Sequence, residues 1–361
     1  MPDPLATAIS PSRANRLPWL DGLRGAAAMA VVLFHVYVIS YHYYPPGSAF
    51  LANAAVRAFM SVARWGSLGV PVFFVLSGFC VGQTWLKSRP ARQFFMHRWR
   101  RIFPAYYASL ALVLGCALAV KLLTGVNDIT SLPAPTVGHI VATLTLLTSP
   151  ASTTPTLTWV YWTLTYEVVF YAVLTALLVL PKRPRLVILA ILHAAICILG
   201  AWPNLALSPG PLFFAGLWPL FGLGLAIALA PRDRPVAAAV GLVSLLATLH
   251  LIAGQSQPGV ALAALAATAL VAACAAGGRL PRWRPLEKIG GFSYSLYLIH
   301  VPVLLALGKH LVLRPEQTPA RFFVGLLGAV ALILVLAFAF YRCFEQPFLQ
   351  SRRTEPAPAA A

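Results

Sequence analysis

The sequence predicts an all-α integral membrane protein that crosses the bilayer about ten times and has both termini in the cytoplasm. Apolar residues make up 59% of its 361 residues and charged residues only 10%, against about a quarter charged in soluble domains. The apolar residues fall in runs close to the roughly 20 residues that one helix needs to cross a bilayer. Basic residues lie mainly between these runs, and their distribution indicates the orientation.

Ten apolar runs, each bounded by proline, glycine or basic residues, are the predicted spans. They cover residues 19–43, 66–86, 104–120, 159–180, 186–201, 212–230, 235–253, 259–276, 292–312 and 322–343. The stretch from Gly138 to Leu147 is too short to cross, so we expect a re-entrant or interfacial piece of a Thr- and Pro-rich loop. We expect one membrane domain over residues 19–345, a cytoplasmic arm over 1–18 and a disordered cytoplasmic tail over 346–361.

Lysine and arginine positions test the orientation, because cytoplasmic loops of membrane proteins are enriched in them. With ten spans and a cytoplasmic N-terminus, 21 of the 27 basic residues fall on the cytoplasmic side and six on the opposite side. The net charge of +18 therefore belongs to short membrane-flanking connectors, and the sequence lacks the basic, aromatic surface typical of nucleic-acid-binding domains.

The five cysteines lie within apolar runs without a C-x-x-C pair, which predicts neither a metal site nor a disulfide framework.

The first span contains Asp21, Arg24 and His35, and ionisable groups within spans are usually functional. Eleven residues turn a helix through about three full turns, so Arg24 and His35 share one face, roughly 16 Å apart along the axis. Asp21 lies three residues before Arg24 on the same side. The alternative is that Arg24 is a snorkelling cation paired with Asp21, and that His35 is only an interhelical hydrogen-bond partner.

The second run and the following connector hold two further patterns. In FFVLSGFCVG, Gly78 and Gly82 are spaced for close helix approach, and Ser77 could donate to a neighbouring carbonyl. In RQFFMHRWRRIFPAYY, Arg98 and Arg101 share a helix face, and we expect Pro104 to end or kink the segment. The two arginines could grip phosphates or could simply anchor the segment at the cytoplasmic surface.

Glu167 is the only acidic residue well inside a predicted span, the fourth. An unpaired carboxylate there is costly, so we expect it to orient His35 or an acceptor hydroxyl, or to make a structural hydrogen bond. Trp162 and Tyr166 beside it are candidate substrate-binding residues, as are Tyr297 and His300 in the ninth span. Packing is the competing interpretation for the ninth-span pair.

Six motifs in order resemble the acyltransferase-3 family of bacterial membrane acyltransferases over about residues 17–348. They are LDGLRG with Arg24-x10-His35, GVPVFFVLSGF, the F-x-x-x-R-x-x-R-I-x-P pattern from Phe94 to Pro104, YWTLTYEVVFY, FSYSLYLIH and the closing FEQPF with Glu345 and Pro347. Thr-Leu-Thr-Tyr before Glu167 departs from a serine-containing version that many members carry, which bears on the acceptor class.

The resemblance implies a multi-pass protein of the bacterial inner membrane that moves an acyl group, most often acetyl, from cytoplasmic acyl-CoA to a hydroxyl of an envelope sugar. It implies that Arg24, Arg98 and Arg101 bind the CoA donor and that His35, Glu167 and Asp21 take part in catalysis. Some members carry a fused periplasmic domain, so a separate periplasmic transferase is a candidate partner. We expect membrane lipids as further contacts, no nucleic acid and no metal.

The sequence is compatible with two mechanisms of acyl transfer and with one other class of function. His35 could act as general base on the acceptor hydroxyl or could carry the acyl group itself. A helical bundle with buried Arg, His and Glu could instead be a proton-coupled exporter of an envelope precursor.

Overall fold

The computed structural model describes residues 17–44, 47–88, 90–124, 136–202, 210, 212–253, 258–307 and 318–350. Throughout these ranges the regular structure is helical, without a strand, so the all-α prediction is confirmed. Most of the predicted arm and tail lies outside the described residues, and a short helix covers the first five residues of the predicted tail.

Fifteen α-helices follow one another in this part of the chain. They are α1 Pro18–Tyr43, α2 Ala49–Ala52, α3 Ala54–Ala63, α4 Gly69–Lys87, α5 Ala91–Thr124, α6 Val137–Thr145, α7 Trp162–Leu177, α8 Lys182–Ala201, α9 Trp218–Leu229, α10 Arg234–Ala253, α11 Pro258–Ala275, α12 Arg284–Gly291, α13 Ser293–Leu307, α14 Pro319–Phe340 and α15 Gln346–Gln350. A π-helical turn, Tyr341–Glu345, joins α14 to α15.

Eight helical segments in the described ranges are long and apolar enough to cross a membrane, and a ninth is obtained if α12 and α13, bent by 81°, form one span. Their outer faces are apolar: Ile191 on α8, Leu242 on α10, Leu262 on α11 and Leu327 on α14 are each more than half exposed. Because water would penalise this surface, it must face lipid. The protein is therefore a multi-pass membrane protein.

The remaining predicted run, residues 212–230, forms only the 12-residue helix α9 after a short 3-10 turn. Such a helix spans about 18 Å, less than the roughly 30 Å of hydrocarbon. It is buried nearly all round, with Leu220, Phe221 and Leu225 in the core. Hydropathy alone does not reveal that α9 is shorter than a full-length span, because a helix buried in protein is as apolar as one in lipid.

The short run after Gly138 forms the nine-residue helix α6 and ends at Leu146 in the left-handed conformation, φ 59°. Its length agrees with the expectation that it does not cross the membrane by itself. Tyr106 donates a hydrogen bond to the carbonyl of Thr143, and Tyr107 donates to that of Leu144. These two bonds attach the end of α6 to α5.

Of the two expectations for Pro104, an end of the segment or a kink, the end was wrong, because α5 continues through Pro104 to Thr124; a kink stays a prediction. A proline inside a helix removes one backbone donor and crowds the preceding turn, and neighbouring helices can compensate for this in membranes. As a result, Arg98 and Arg101 lie on the same continuous helix as the third span.

Glycines permit two close helix crossings next to the cavity described below. A Cβ on Gly78 of α4 would lie 2.0 Å from the carbonyl oxygen of Phe221 in α9, and one on Gly224 would lie 1.9 Å from that of Val75. A Cβ on Gly25 of α1 would meet the carbonyl oxygen of Leu286 in α12 at 2.0 Å. Small residues let membrane helices pack this closely, as the spacing of Gly78 predicts.

Candidate active site

A cavity of about 110 Å³ lies between α1, α4, α5, α7 and α13. Phe73, Phe74 and Ile102 form part of its apolar wall. Its polar wall is formed by Arg24, Ser77, Arg98, Arg101, Thr163, Glu167, Tyr171, Ser293, Tyr294 and Tyr297. Five of the candidate residues from the sequence, Arg24, Arg98, Arg101, Glu167 and Tyr297, thus line one cavity although they belong to four different helices.

Arg101 is neutralised by a carboxylate from the far end of the chain. Its Nη1 forms an ion pair with Oε1 of Glu345, which the π-helical turn after α14 brings against α5. The second carboxylate oxygen of Glu345 accepts a hydrogen bond of 2.6 Å from the hydroxyl of Ser295. Glu345 is 1% exposed, so this ion pair and hydrogen bond compensate for the burial of its charge.

Arg98 has different partners. Its guanidinium lies 6.0 Å from the ring centre of Phe94 and 5.7 Å from that of Tyr171, and its Nη2 donates to Nδ1 of His97 at 2.6 Å. Its Nε is buried without a hydrogen-bond partner. These aromatic contacts stabilise a cation without neutralising it, and no carboxylate of the described residues forms an ion pair with Arg98.

Arg24 is partly exposed, and its Nη1 lies 3.8 Å from Oδ1 of Asp21 one turn earlier on α1. The backbone of Asp21 is in close contact with α12, because a Cβ on Gly290 would meet its carbonyl oxygen at 1.8 Å. Asp21 itself is outside the set of residues that line the cavity. Its place beside Arg24 matches the pairing expected from the sequence.

Glu167 accepts a hydrogen bond of 2.7 Å from the hydroxyl of Ser77, across the α4–α7 contact. Ser77 was expected to donate to a carbonyl, and the structure gives it a carboxylate instead. One turn after Glu167, the Tyr171 ring lies beneath Arg98. Glu167 shares the cavity wall with the three arginines, and the hydrogen-bond partner of His35 is a different residue, His300.

His35 contacts His300, and both lie just beyond the cavity. Nε2 of His300 is 3.1 Å from Nδ1 of His35, and the two rings meet edge to face with centres 4.9 Å apart. The ring of Tyr297, which lines the cavity, is 5.9 Å from that of His300. Tyr297 is held by Thr163 and by the carbonyl of Val160, so a fixed tyrosine belongs both to the cavity wall and to the surroundings of His300.

Trp162 and Tyr166 pack in an aromatic cluster. Their ring centres are 5.6 Å apart, and the Tyr166 ring also contacts Phe74 and Phe213. Neither residue is among those that line the cavity, although Tyr166 contacts the wall residue Phe74.

Sequence reasoning missed Tyr171, Tyr294 and Thr163 as wall residues and missed the contact of Glu345 with Arg101. Tyr171 follows Glu167 by four residues on a helix, and this spacing is the signal that could have placed both on one face. For Glu345 no local signal exists, because its partner Arg101 is 244 residues away along the chain.

Comparison with known proteins assigns the family. The acyltransferase-3 family model, described as an acyltransferase domain, matches residues 17–338. BcsY of Komagataeibacter xylinus, whose name describes a membrane-bound transacylase, is 27% identical over 96% of this chain and 86% of its own length. The exopolysaccharide production protein ExoZ of Rhizobium meliloti (strain 1021) is 27% identical over 80% of this chain and 91% of its own.

A third relative matches only in part. The peptidoglycan O-acetyltransferase OatA of Listeria monocytogenes is 30% identical over 103 residues, which are 27% of this chain and 13% of OatA. No solved structure gives a significant match. The family match over most of the chain decides between the enzyme and the exporter considered from the sequence: the chain belongs to the acyltransferase-3 family and is a membrane acyltransferase.

Proposed function

We propose that this protein transfers an acyl group, most simply acetyl, from cytoplasmic acyl-CoA to a hydroxyl group of a sugar across the bacterial inner membrane. One observation supports this best: a single cavity has three arginines and a carboxylate in its wall, and its Tyr297 side adjoins His35 and His300. The names of two relatives, an exopolysaccharide production protein and a peptidoglycan O-acetyltransferase, favour a sugar acceptor.

The proposed orientation counts the buried helix α9, with the 3-10 turn before it, as the sixth of ten membrane passages, because a short helix can complete a passage where protein surrounds it. Both termini are then in the cytoplasm, as the distribution of basic residues indicates. Arg24 is then near the cytoplasmic end of α1, and His35 is about 16 Å further along the same helix. A phosphate-bearing donor would enter from the arginine side of the cavity. The acceptor hydroxyl would approach from the side of the two histidines.

We assign the donor phosphates chiefly to Arg98 and Arg24. Arg98 offers a guanidinium held by aromatic rings and a buried Nε without a partner, and a guanidinium binds phosphate oxygens through two parallel hydrogen bonds. Arg101 is already paired with Glu345. Arg101 is therefore a fixed part of the cavity wall whose charge is already neutralised.

In the proposed reaction, the imidazole of His35 takes the proton of the acceptor hydroxyl as the oxygen bonds to the thioester carbonyl carbon. The carbon–sulfur bond then breaks, and the CoA thiolate leaves and is protonated by the imidazolium. In the relay variant, the imidazole first takes the acyl group, releases CoA thiol and then passes the acyl group to the hydroxyl. Both routes need an unprotonated nitrogen on His35.

The test uses proteoliposomes that contain only this protein, with [1-14C]acetyl-CoA on one side. The acceptor on the other side is the polysaccharide fraction from cells that lack the protein. We expect alkali-labile label in the polysaccharide with the natural chain and about 100 to 10,000-fold slower labelling with His35→Gln. Equal labelling by the variant would contradict the role of His35, and label that requires added periplasmic extract would show that a separate transferase completes the reaction.

The same material separates the two routes. In the relay, incubation with labelled acetyl-CoA and no acceptor leaves label on the protein, and His35→Gln prevents it. Direct attack leaves the protein unlabelled under these conditions.

A further inference from the structure

The hydrogen bonds of His300 determine which of its nitrogens carries hydrogen. Nδ1 of His300 is 3.0 Å from the carbonyl oxygen of Leu296 and 2.9 Å from that of Tyr297. Both carbonyl oxygens can only accept, so Nδ1 must be the N–H donor, and in the neutral ring Nε2 is an acceptor. His300 is completely buried, which favours the neutral ring because a charged group is costly inside a membrane protein.

The same reasoning applies to His35. Its Nδ1 is 2.9 Å from the carbonyl oxygen of Val31 and 3.1 Å from Nε2 of His300. Since both neighbours are acceptors, Nδ1 of His35 carries the hydrogen and donates to them. Nε2 of His35 is consequently the nitrogen with a free lone pair.

We propose that His300 is a positioning residue for His35: its Nε2 accepts the Nδ1–H of His35, holds that ring with Nε2 free to take a proton, and stabilises the imidazolium that forms. This inference rests on the proposed function of His35 and adds a second residue to it. In serine-protease triads a buried aspartate holds the histidine in this way. Here a neutral imidazole does so, which avoids a second buried charge in the membrane.

The contact lies between two helices that are largely buried at this level. His300 is completely buried, and Val32 and Val36 on α1 and Ile299 and Leu304 on α13 are buried as well. A hydrogen bond is electrostatically stronger in such a medium than in water. Because His300 is held by two backbone carbonyls of its own helix, the position of its Nε2 is set by α13.

The kinetic test compares His300→Gln and His300→Leu, each alone and combined with His35→Gln, in the proteoliposome assay with [1-14C]acetyl-CoA. The glutamine oxygen can occupy the position of Nε2 and accept from His35, whereas leucine cannot. We expect His300→Leu to lower kcat by about 100-fold, less than the roughly 10,000-fold loss when a triad aspartate is replaced. The KM for acetyl-CoA should stay unchanged, and His300→Gln should restore most of the rate.

The control is His193→Gln, at another buried histidine that is bonded to Trp218 and Ser244 on α9 and α10. It should lower thermal stability without a selective loss of kcat. The double variant shows whether His300 acts through His35. If it does, replacing His300 by Leu should not lower kcat further once His35 is Gln. Equal kcat for His300→Leu and the natural chain, or full additivity of the two losses, would overturn the inference.

A second test, by NMR spectroscopy, does not require the protein to transfer acyl groups. Solid-state NMR of 15N-histidine-labelled protein in lipid, with His35 assigned from the His35→Gln variant, reports which nitrogen carries hydrogen. We expect hydrogen on Nδ1 of His35 and a change in its 15N shift in His300→Leu. Hydrogen on Nε2 of His35 would overturn the inference even if acyl transfer is observed, whereas inactivity of the natural chain with the expected spectrum would count against the proposed function alone.

Discussion

Arg98 and Arg101 lie one turn apart on α5, yet their surroundings give them different tasks. Arg101 is paired with the buried Glu345, and Arg98 is in contact with aromatic rings. Removing one partner of a buried ion pair leaves an uncompensated charge, at a cost of about 3 to 5 kcal/mol. Removing Arg98 leaves no buried carboxylate without its partner, so this cost does not arise.

We therefore predict that Arg101→Ala lowers stability and that Arg98→Ala weakens donor binding. Thermal unfolding in detergent should show a large loss for Arg101→Ala, and Arg101→Ala combined with Glu345→Ala should recover part of it. Calorimetry with acetyl-CoA should show weaker binding for Arg98→Ala, with Arg98→Lys recovering only part because lysine lacks the bidentate fork.

The matched control is Arg92→Ala, an exposed arginine on the first turn of α5, which should change neither property. Unchanged acetyl-CoA binding in Arg98→Ala would show that Arg98 is only a membrane anchor.

Glu167 gives a second prediction at the residue scale. Glu167→Gln keeps an oxygen that can accept from Ser77 but removes a negative charge from a wall with three arginines. We expect a lower KM for acetyl-CoA, because the cavity becomes more positive, together with a lower kcat. Steady-state kinetics of Glu167→Gln and Ser77→Ala separate charge from hydrogen bond, and a higher KM in Glu167→Gln would contradict this electrostatic argument.

At the residue scale, sequence reasoning was strongest where the motif lies on one helix. The spacing of Arg24 and His35 and of Arg98 and Arg101 follows from helix geometry alone. Partners on different helices could not be assigned. Glu167 was expected to orient His35 or an acceptor hydroxyl, or to make a structural hydrogen bond, and the structure pairs Glu167 with Ser77 and His35 with His300. Such pairs depend on how helices cross, which a single sequence does not contain.

At the scale of helices, the crossing of α4 and α9 depends on glycine. Both Gly78 and Gly224 place the backbone of one helix against a carbonyl oxygen of the other. The same crossing holds α4, which carries Ser77 and one wall of the cavity, against the buried helix α9. Hydropathy located α4 correctly but did not distinguish α9 from a full-length span, because α9 is at least as apolar as α4.

We predict that Gly78→Ala destabilises the protein, because a Cβ at this position would overlap the carbonyl of Phe221. Gly328→Ala in α14 is the matched control, since nothing lies within 4 Å of its added Cβ; it should be neutral or slightly stabilising, as alanine is the better helix former by about 1 kcal/mol. Thermal unfolding of both variants tests this, and equal stability of the two would contradict the close crossing.

For the whole molecule, the apolar outer faces establish a membrane protein, and the basic residues predict its orientation. Single cysteines at positions 92 and 282, in a chain without its five native cysteines, should react with a membrane-impermeant maleimide only from the cytoplasmic side. Cysteines at positions 57 and 61 should react only from the opposite side. Labelling of all four positions from one side would contradict the ten-passage arrangement.

The π-helical turn Tyr341–Glu345 makes the Arg101–Glu345 pair depend on chain length as well as on composition. A π-turn contains one residue more than the α-turn that it replaces. Deleting a single residue there, such as Cys343, would restore regular α-helix and rotate Glu345 by about 100° around the axis, away from Arg101. Net charge would be unchanged and mean hydropathy nearly so, and a one-residue gap at this point in an alignment therefore marks a family member that must pair its arginine in another way.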